Sequence, residues 1–275
     1  MLDLKHGRAM ELCPSLDLGC HDNLKPPPVH PRMKIKVEGQ CDFLVGRDAI
    51  AYSDIESAGS DNLIILSDNS KLLGSKIRIK GNGCRVLIGP NVQLKAARIV
   101  LAKDNCLVAI GGGTTWESGA FICDRGRAIV AGNDCMFSSN IVVRTSDGHG
   151  IWDKKTGRRL NLPADVSIGH HVWLGNGARV NKGATIGSGS IIGQCAIASG
   201  RLDDNCIYAG IPAKKVRESV HWTRDADLDE LPLEWRDEIN DPDSDVSPLE
   251  TDIRSGVIGD IVVAARRRVG GMFQR

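Results

Sequence analysis

VSIGHHVWLGNGARVNKGATIGSGSIIGQCAIAS, residues 166–199, carries an aliphatic or alanine side chain at every sixth position: Ile168, Leu174, Val180, Ile186, Ile192 and Ala198. Neither an α-helix, with period 3.6, nor a flat strand, with period 2, repeats in this way. One position after each comes Gly169, Gly175, Asn181, Gly187, Gly193 or Ser199, mostly residues that accept φ > 0 or a tight turn. Four positions after come Val172, Ala178, Ala184, Ser190 and Ala196, all small or β-branched. Aliphatic, corner, small inward residue, repeated every six, describes short strands joined by sharp corners, three strands to a turn of a parallel β-solenoid. At eighteen residues per coil, Ile168 must stack under Ile186, Leu174 under Ile192 and Val180 under Ala198, so each ladder is buried only by the coil above it.

Upstream the rhythm is coarser. From about Asn62, "LIILSDN", "IRIKGNGCRVLIGPNVQL", "ARIVLAKDNCLVAIGGG" and "AIVAGNDCMFSSNIVVR" each pair a β-branched run with a Gly, Asn or Asp corner. The six-residue phase is recoverable in pieces (Ile88, Leu94, Val100; Ile110, Trp116, Ile122; Val130, Met136, Val142), which predicts four to five irregular coils with small insertions. "KIKVEG" at 34–39 alternates as a strand. Between Val142 and Ile168 the phase breaks, and the polar segment 145–165, with Gly148, Gly150, Gly157 and Pro163, is expected to loop out and return. Residues 1–33, with Pro26, Pro27, Pro28 and Pro31, read as a loosely ordered arm, and 34–217 as the solenoid. Residues 218–275 read as an acidic linker followed by a helix: 225–252 hold twelve acidic residues against the single base Arg236, and Ser247, Pro248 and Glu250 precede an apolar stripe from Leu249 to Val269.

Composition narrows the function classes. With 4% aromatic residues and 31 glycines the chain suits narrow coils, and a net charge of +1 gives no global field for nucleic acid. Nine cysteines without a Cys-x-x-Cys pair argue against a disulfide framework or a zinc clip, and for a reducing, cytoplasmic setting. Residues 1–10 have no long apolar run, so neither a signal peptide nor a membrane span is expected there.

The repeat 168–200, followed by "IYAGIPAKKVRE" and preceded by "RTSDGHGIWD", resembles the hexapeptide-repeat acyltransferases, left-handed parallel β-helix enzymes that include sugar O-acetyltransferases. The resemblance implies an all-β, left-handed solenoid, interrupted at about 145–165 and followed by a short helical extension. It implies acetyl-CoA as co-substrate, a saccharide acceptor and a homotrimer with sites at subunit clefts; no nucleic-acid partner is expected, and membrane contact only through the terminal helix.

Transfer from a thioester needs a base for the attacking hydroxyl. His149, flanked by glycines in "TSDGHGIWD", is the candidate, since an unperturbed imidazole is substantially neutral near pH 7; the matching histidine of the family's Asp-x-His segment has this role. Asp147 or Asp153 could orient its ring. Asn140 is a candidate to steer the acceptor hydroxyl. For coenzyme A, the resemblance implies Trp173 walling the acyl groove, Asn176 and Cys195 in the late coils, and Lys214, Lys215 and Arg217 near the phosphates. Where many relatives have Thr-Lys after the last repeat, this chain has Ser199, Gly200 and Arg201, and Arg201 is the candidate substitute for the lysine. Arg158, Arg159 and Lys155 could meet an acidic sugar, and Asp153 is a further candidate for contact with the acceptor. His170 and His171 sit at a coil corner and no metal-ligand role is expected of them, although the γ-class carbonic anhydrases share this type of solenoid. The leading expectation is an O-acetyltransferase acting on a cell-surface polysaccharide or its precursor. N-acetylation of an amino sugar and a non-catalytic scaffold are the alternatives.

Overall fold

The structure, a computed structural model, describes residues 8–19, 24–27, 31–232 and 235–236. Twenty-one strands form a single sheet wound into a solenoid of about eight turns. Among the described strands only the last pairing, Ile207–Ala209 with Lys214–Arg217, is antiparallel. Each turn has three faces. The first face stacks Arg85–Ile88, Leu107–Ile110, Ala128–Ala131, Val166–Ile168, Thr185–Ile186 and Arg201–Leu202. The second stacks Gln93–Lys95, Thr115–Trp116, Met136–Phe137, Trp173–Leu174, Ile191–Ile192 and Ile207–Ala209. The third stacks Ala97–Leu101, Gly119–Cys123, Ile141–Arg144, Arg179–Val180 and Ile197–Ala198. The long strands Lys34–Val45, Ile50–Leu66 and Lys71–Ile79 bend round corners and serve more than one face.

The late coils follow the sixfold reading residue by residue. Ile168 pairs with Ile186, Leu174 with Ile192 and Val180 with Ala198. All six are buried in one continuous core with Val172, Ala178, Ala184 and Ala196, and Ser190 is buried too. The earlier coils depart from it. Their register advances by 21 or 22 residues per turn, as in Arg85↔Leu107 and Leu107↔Ala128, so strands are longer and alternate in and out. Ile88, Leu94, Ile110 and Trp116 point inward as expected. Val100, Ile122, Met136 and Val142 do not: their neighbours Ile99 and Leu101, Phe121 and Cys123, Phe137, and Ile141 and Val143 fill the core. A shift of one residue reverses the face of a strand residue, which is how the extra residues per coil defeat a six-residue count. The wider coils also take larger fillers: Trp116 and Phe121 lie 4.4 Å apart between ring centroids, with Phe137 5.9 Å from Phe121.

Val130 faces outward but is buried, because the amino-terminal segment covers it. Leu63, Ile65, Leu87, Leu107, Ala109, Ala128 and Val130 make the outside of the first face apolar, and Ala9, Cys13, Leu16 and Leu18 pack on them. The expectation of a loose arm therefore fails for residues 8–19, which run as a helical turn at 8–12 and then a strap. An apolar outer face cannot stay wet, and the strap covers it. Polar ties complete the fit: Arg8 donates to Asp165 (2.8 Å) and to the Gly126 carbonyl (2.8 Å), and Asn133 donates to the Ser15 carbonyl (2.9 Å).

Residues to Trp222 form one compact unit and Thr223–Arg275 a second. The described part of the second is irregular, with Arg236 paired to Glu230 at 3.2 Å. The helix expected from Ser247 to Val269, and any membrane contact through it, lie outside the described residues.

The stacked ladder sets a stability prediction. Ile186 is 1% exposed between Ile168 and Leu202, in a column of aliphatic side chains. Ile186→Asp is expected to cost at least about 3–5 kcal/mol for an uncompensated buried charge, which lowers the melting temperature by roughly 10 °C or more in a domain of this size. Circular dichroism melts check this, and a melt at the parental temperature contradicts it.

Candidate functional site

The one long interruption of the solenoid follows the third-face strand Ile141–Arg144 and rejoins the first face at Val166. Thr145–Asp165 leaves and returns at one point, where the Ala164 amide donates to the Thr145 carbonyl (3.0 Å). Between them the chain folds into a small hairpin, closed by Asp153 N–H to Arg158 C=O (2.8 Å) and Leu160 N–H to Ile151 C=O (2.7 Å). No core anchors this hairpin. Ile151, Trp152, Leu160 and Leu162 are 55–63% exposed.

His149 lies on the hairpin's outgoing limb, exposed, and its imidazole has no partner among the described residues. Only its carbonyl is bonded, by Asn161 Nδ2 at 2.8 Å and Arg159 at 3.5 Å. Neither carboxylate expected to orient the ring does so. Asp147 accepts from Lys182 Nζ and, at 2.9 Å, from Asn161 Nδ2. Asp153 accepts the Lys155 and Thr156 amides, both at 2.8 Å, and so caps its own turn. Of the bases assigned to an acidic sugar, Arg158 is exposed, whereas Arg159 turns back on the hairpin through Asn161 Oδ1 (3.3 Å).

The third face carries an open groove of about 640 Å³. Its floor is small and apolar, Gly119, Ala120, Val142, Gly177 and Ile197, and its rim holds Asn140, Asn176, Cys195 and Ile211. Asn140, Gly177 and Cys195 turn the corner between second and third faces with φ of 60°, 73° and 55°, which places their side chains or backbone at the groove's edge. Arg98 and Arg179 bracket the floor. They share one row of the sheet, Arg98–Ala120–Val142–Arg179, three strand steps and so about 14 Å apart. A second hollow of about 450 Å³, lined by Val142, Arg144, Arg179, Asn181 and Ile197, continues the strip towards the hairpin's root. Arg98 and Arg179 form no salt bridge among the described residues, whereas Arg144 lies near enough to Asp147 to help lower its pKa.

The remaining expected residues are on other faces. Trp173 does project outward, but on the second face, where its ring lies 6.0 Å from that of Trp222 and does not line the groove. Trp222 itself is clasped to the corner: it stacks on His171 at 4.0 Å and donates Nε1–H to the His171 carbonyl (2.8 Å). The His171 ring reaches Asp134 (2.7 Å) and the Trp222 carbonyl (2.8 Å), and the His170 ring reaches the Pro14 carbonyl (2.6 Å) and the Asn133 amide (3.1 Å), so both are spent on structure. Arg201 projects from the first face beside Thr185. Lys214 and Arg217 are exposed on the terminal strand. Lys215 pairs with Asp203 (2.9 Å) and Glu218 (3.2 Å), which raise its pKa and occupy its charge.

Three arginines, the hairpin residue Asn161 and the coil residue Lys182 escaped the sequence reading. Arg179 precedes an inward Val180 and was readable as outward; Arg98 and Arg144 sit in the coils whose phase was obscured. Asn161 and Lys182 carry no local signal at all, because their partner Asp147 is 14 and 35 residues away.

No family model matches the chain. It is 38% identical over 96 residues to a polysialic acid O-acetyltransferase of Escherichia coli O1:K1, covering 35% of this chain and 31% of that protein. It is 34% identical over 124 residues to a polysialic acid O-acetyltransferase of Neisseria meningitidis, covering 45% of this chain and 57% of that protein. The matched segments thus span between 31% and 57% of these curated relatives. The crystal structure of the polysialic acid O-acetyltransferase OatWY superposes with a TM-score of 0.65 at 28% identity, covering 70% of this chain and 92% of that one. These homologues are polysialic acid O-acetyltransferases, and the solenoid described above is the fold they share with this chain.

The Asp147 tether has a titration signature. Its pKa is lowered first by the hydrogen bond from Lys182 and then by that from Asn161. A depressed carboxylate stabilises the fold above its unfolded pKa and ceases to do so as pH falls through the folded value, so the tether holds at neutral pH and lets go only in acid. Lys182→Met removes the larger cause and is expected to bring Asp147 back towards the ordinary aspartate value of about 3.9. Carboxyl-carbon NMR titration measures it, and an unmoved midpoint contradicts the assignment.

Proposed function

We propose that this chain transfers an acetyl group from acetyl-CoA to a hydroxyl of an acidic polysaccharide, polysialic acid being the first candidate. The observation that carries the reading is the strip on the third face, where Arg98 and Arg179, neither in a salt bridge among the described residues, border an apolar floor that runs on past Arg144 to the root of the hairpin that presents His149. Carboxylates spaced along an extended glycan are the chemistry such arginines bind, through charge-assisted and often bidentate hydrogen bonds. The relatives named above act on such a polymer and support the same choice.

The late end of the strip suits the carrier. Gly177, Cys195 and Ile197 leave room for a slender apolar arm beside Asn176, and Lys214 and Arg217 are available for phosphates. Acetyl-CoA supplies the activated acyl carbon. His149 does the proton work: its free ring nitrogen takes the proton of the attacking hydroxyl, and the resulting imidazolium returns it to the departing thiolate, so no net charge accumulates on the protein. Direct transfer with both substrates bound needs no enzyme nucleophile.

A second copy completes the site. Within one chain Trp173, Arg201 and the groove residues Asn176 and Cys195 face three different directions, and the hairpin exposes Ile151, Trp152, Leu160 and Leu162 with nothing to cover them. Three copies around a cyclic axis would bury those side chains and bring the hairpin of one chain over the coils of the next. We place the enzyme in the cytoplasm; the eight described cysteines are all free thiols, as a reducing compartment favours.

Thiol release from acetyl-CoA, with polysialic acid, free sialic acid and neutral oligosaccharides as acceptors, tests the reading, and release with none of them rejects it. His149→Ala is expected to lower turnover about a hundredfold or more, the usual worth of a general base, while leaving acetyl-CoA binding near the parental value. Replacing Arg98 and Arg179 together by alanine is expected to raise KM for the acidic acceptor by about tenfold or more with kcat largely kept, since each charged hydrogen bond is worth about 1.5–3 kcal/mol. An acceptor KM that does not respond contradicts the groove assignment. Light scattering is expected to give three times the chain mass of 29.6 kDa, and an active monomer contradicts the shared site.

A further inference from the structure

The geometry points to Asn161 as the residue that positions His149; the inference rests on reading His149 as the base. His149 stands between Gly148, at φ +84°, and Gly150. Two glycines give the backbone more freedom than any other pair of neighbours, and a side chain on Gly148 would meet nothing within 4 Å, so packing does not fix that residue and its one local tie is the amide's bond to Ser146 Oγ (3.1 Å). The imidazole has no partner of its own among the described residues. Its direction is therefore set by whatever holds the backbone around it.

Asn161 does this from the returning limb of the hairpin. It is 8% exposed, the most buried residue of the segment between Asp147 and Pro163. Its Oδ1 accepts the Ile151 amide at 2.7 Å, two residues after His149. Its Nδ2 donates to the His149 carbonyl at 2.8 Å and to Asp147 Oδ2 at 2.9 Å, two residues before. One amide thus grips the chain at both sides of the base and at the base itself. With its oxygen facing two donors, the Ile151 amide and Arg159 Nε (3.3 Å), and its nitrogen facing two acceptors, the amide has a single satisfactory orientation. Lys182, from the corner after Arg179–Val180, fixes Asp147 in turn, so the hairpin is referenced to the rigid coils through Lys182, Asp147 and Asn161. Asn161 touches no reacting atom in this arrangement. It is a positioning residue.

Asn161→Ala removes these three bonds and the one that Oδ1 accepts from Arg159, and Asn161→Asp keeps the acceptor for Ile151 while setting a carboxylate against Asp147. For both, kcat for acetyl transfer to polysialic acid is expected to fall about a hundredfold, the cost of a displacement near 1 Å at a reacting group, with KM for acetyl-CoA within about twofold of parental. The coil melt is expected to stay put, since the solenoid core does not include the hairpin. Because the effect passes through His149, the double variant His149→Ala with Asn161→Ala is expected to be no slower than His149→Ala alone. Hydrogen exchange gives a readout that needs no acceptor: the Ile151 amide should exchange faster in Asn161→Ala while peptides from 166–199 do not change. Parental turnover in Asn161→Ala, additive losses in the double variant, or unchanged exchange at Ile151 would each overturn the inference. Failure of the His149 reading shows itself separately, as parental turnover in His149→Ala.

Discussion

A coil of this solenoid has no core of its own; its inward side chains are covered only by the coils above and below. Ile168, Ile186 and Leu202 form one such column, and Leu174, Ile192 and Tyr208 another. Every other property of the fold follows from keeping these columns in register. Corners must recur at the same place in each turn, which is why left-handed residues line up along the axis: Asn69, Asn91, Gly113, Asp134, His171, Gly189 and Asn205 occupy one corner. Wider turns must be filled by larger side chains, which is where Trp116, Phe121 and Phe137 are found.

The same constraint explains where chemistry can be placed. A narrow stack has no interior pocket, so function must come from its faces and from excursions between coils. The first face is apolar outside and is closed by the strap at 8–19. The second carries Trp173 with Trp222 beside it. The third is left open, with Arg98, Arg144 and Arg179 along it. The hairpin that leaves the third face is tied to the coils by polar contacts through Lys182, Asp147 and Asn161, while its own apolar side chains stay exposed. Polar anchoring from opposite limbs suits a group that must be fixed in direction yet remain accessible to two substrates.

Legibility varied along the chain for a physical reason. In 166–199 each strand is two or three residues long, all but Val166–Ile168 turn a single residue inward, and a count of six suffices to find it. In the earlier turns strands reach four or five residues and two of them face inward, so a single aliphatic per strand no longer marks the phase; Val100, Met136 and Val142 were misplaced by one residue as a result. The strap at 8–19 was read as loose because its four apolar contacts, Ala9, Cys13, Leu16 and Leu18, follow no secondary-structure period. Their meaning lies in the face they cover.

Sequence alone determined the solenoid, its late register, the position of the interruption and the candidacy of His149, since all four depend on residues close together in the chain: a repeat, its break, and a histidine between glycines. Only the tertiary structure decided what surrounds that histidine. Asp147 turned from ring orienter into the partner of Lys182, 35 residues on; Trp173 was assigned to a face away from the groove; and Arg98 and Arg179, 81 positions apart in sequence, became two ends of one row. Neighbours along the axis of a stack are one coil apart in space but 16 to 37 residues apart in the chain, and no local pattern records who they are.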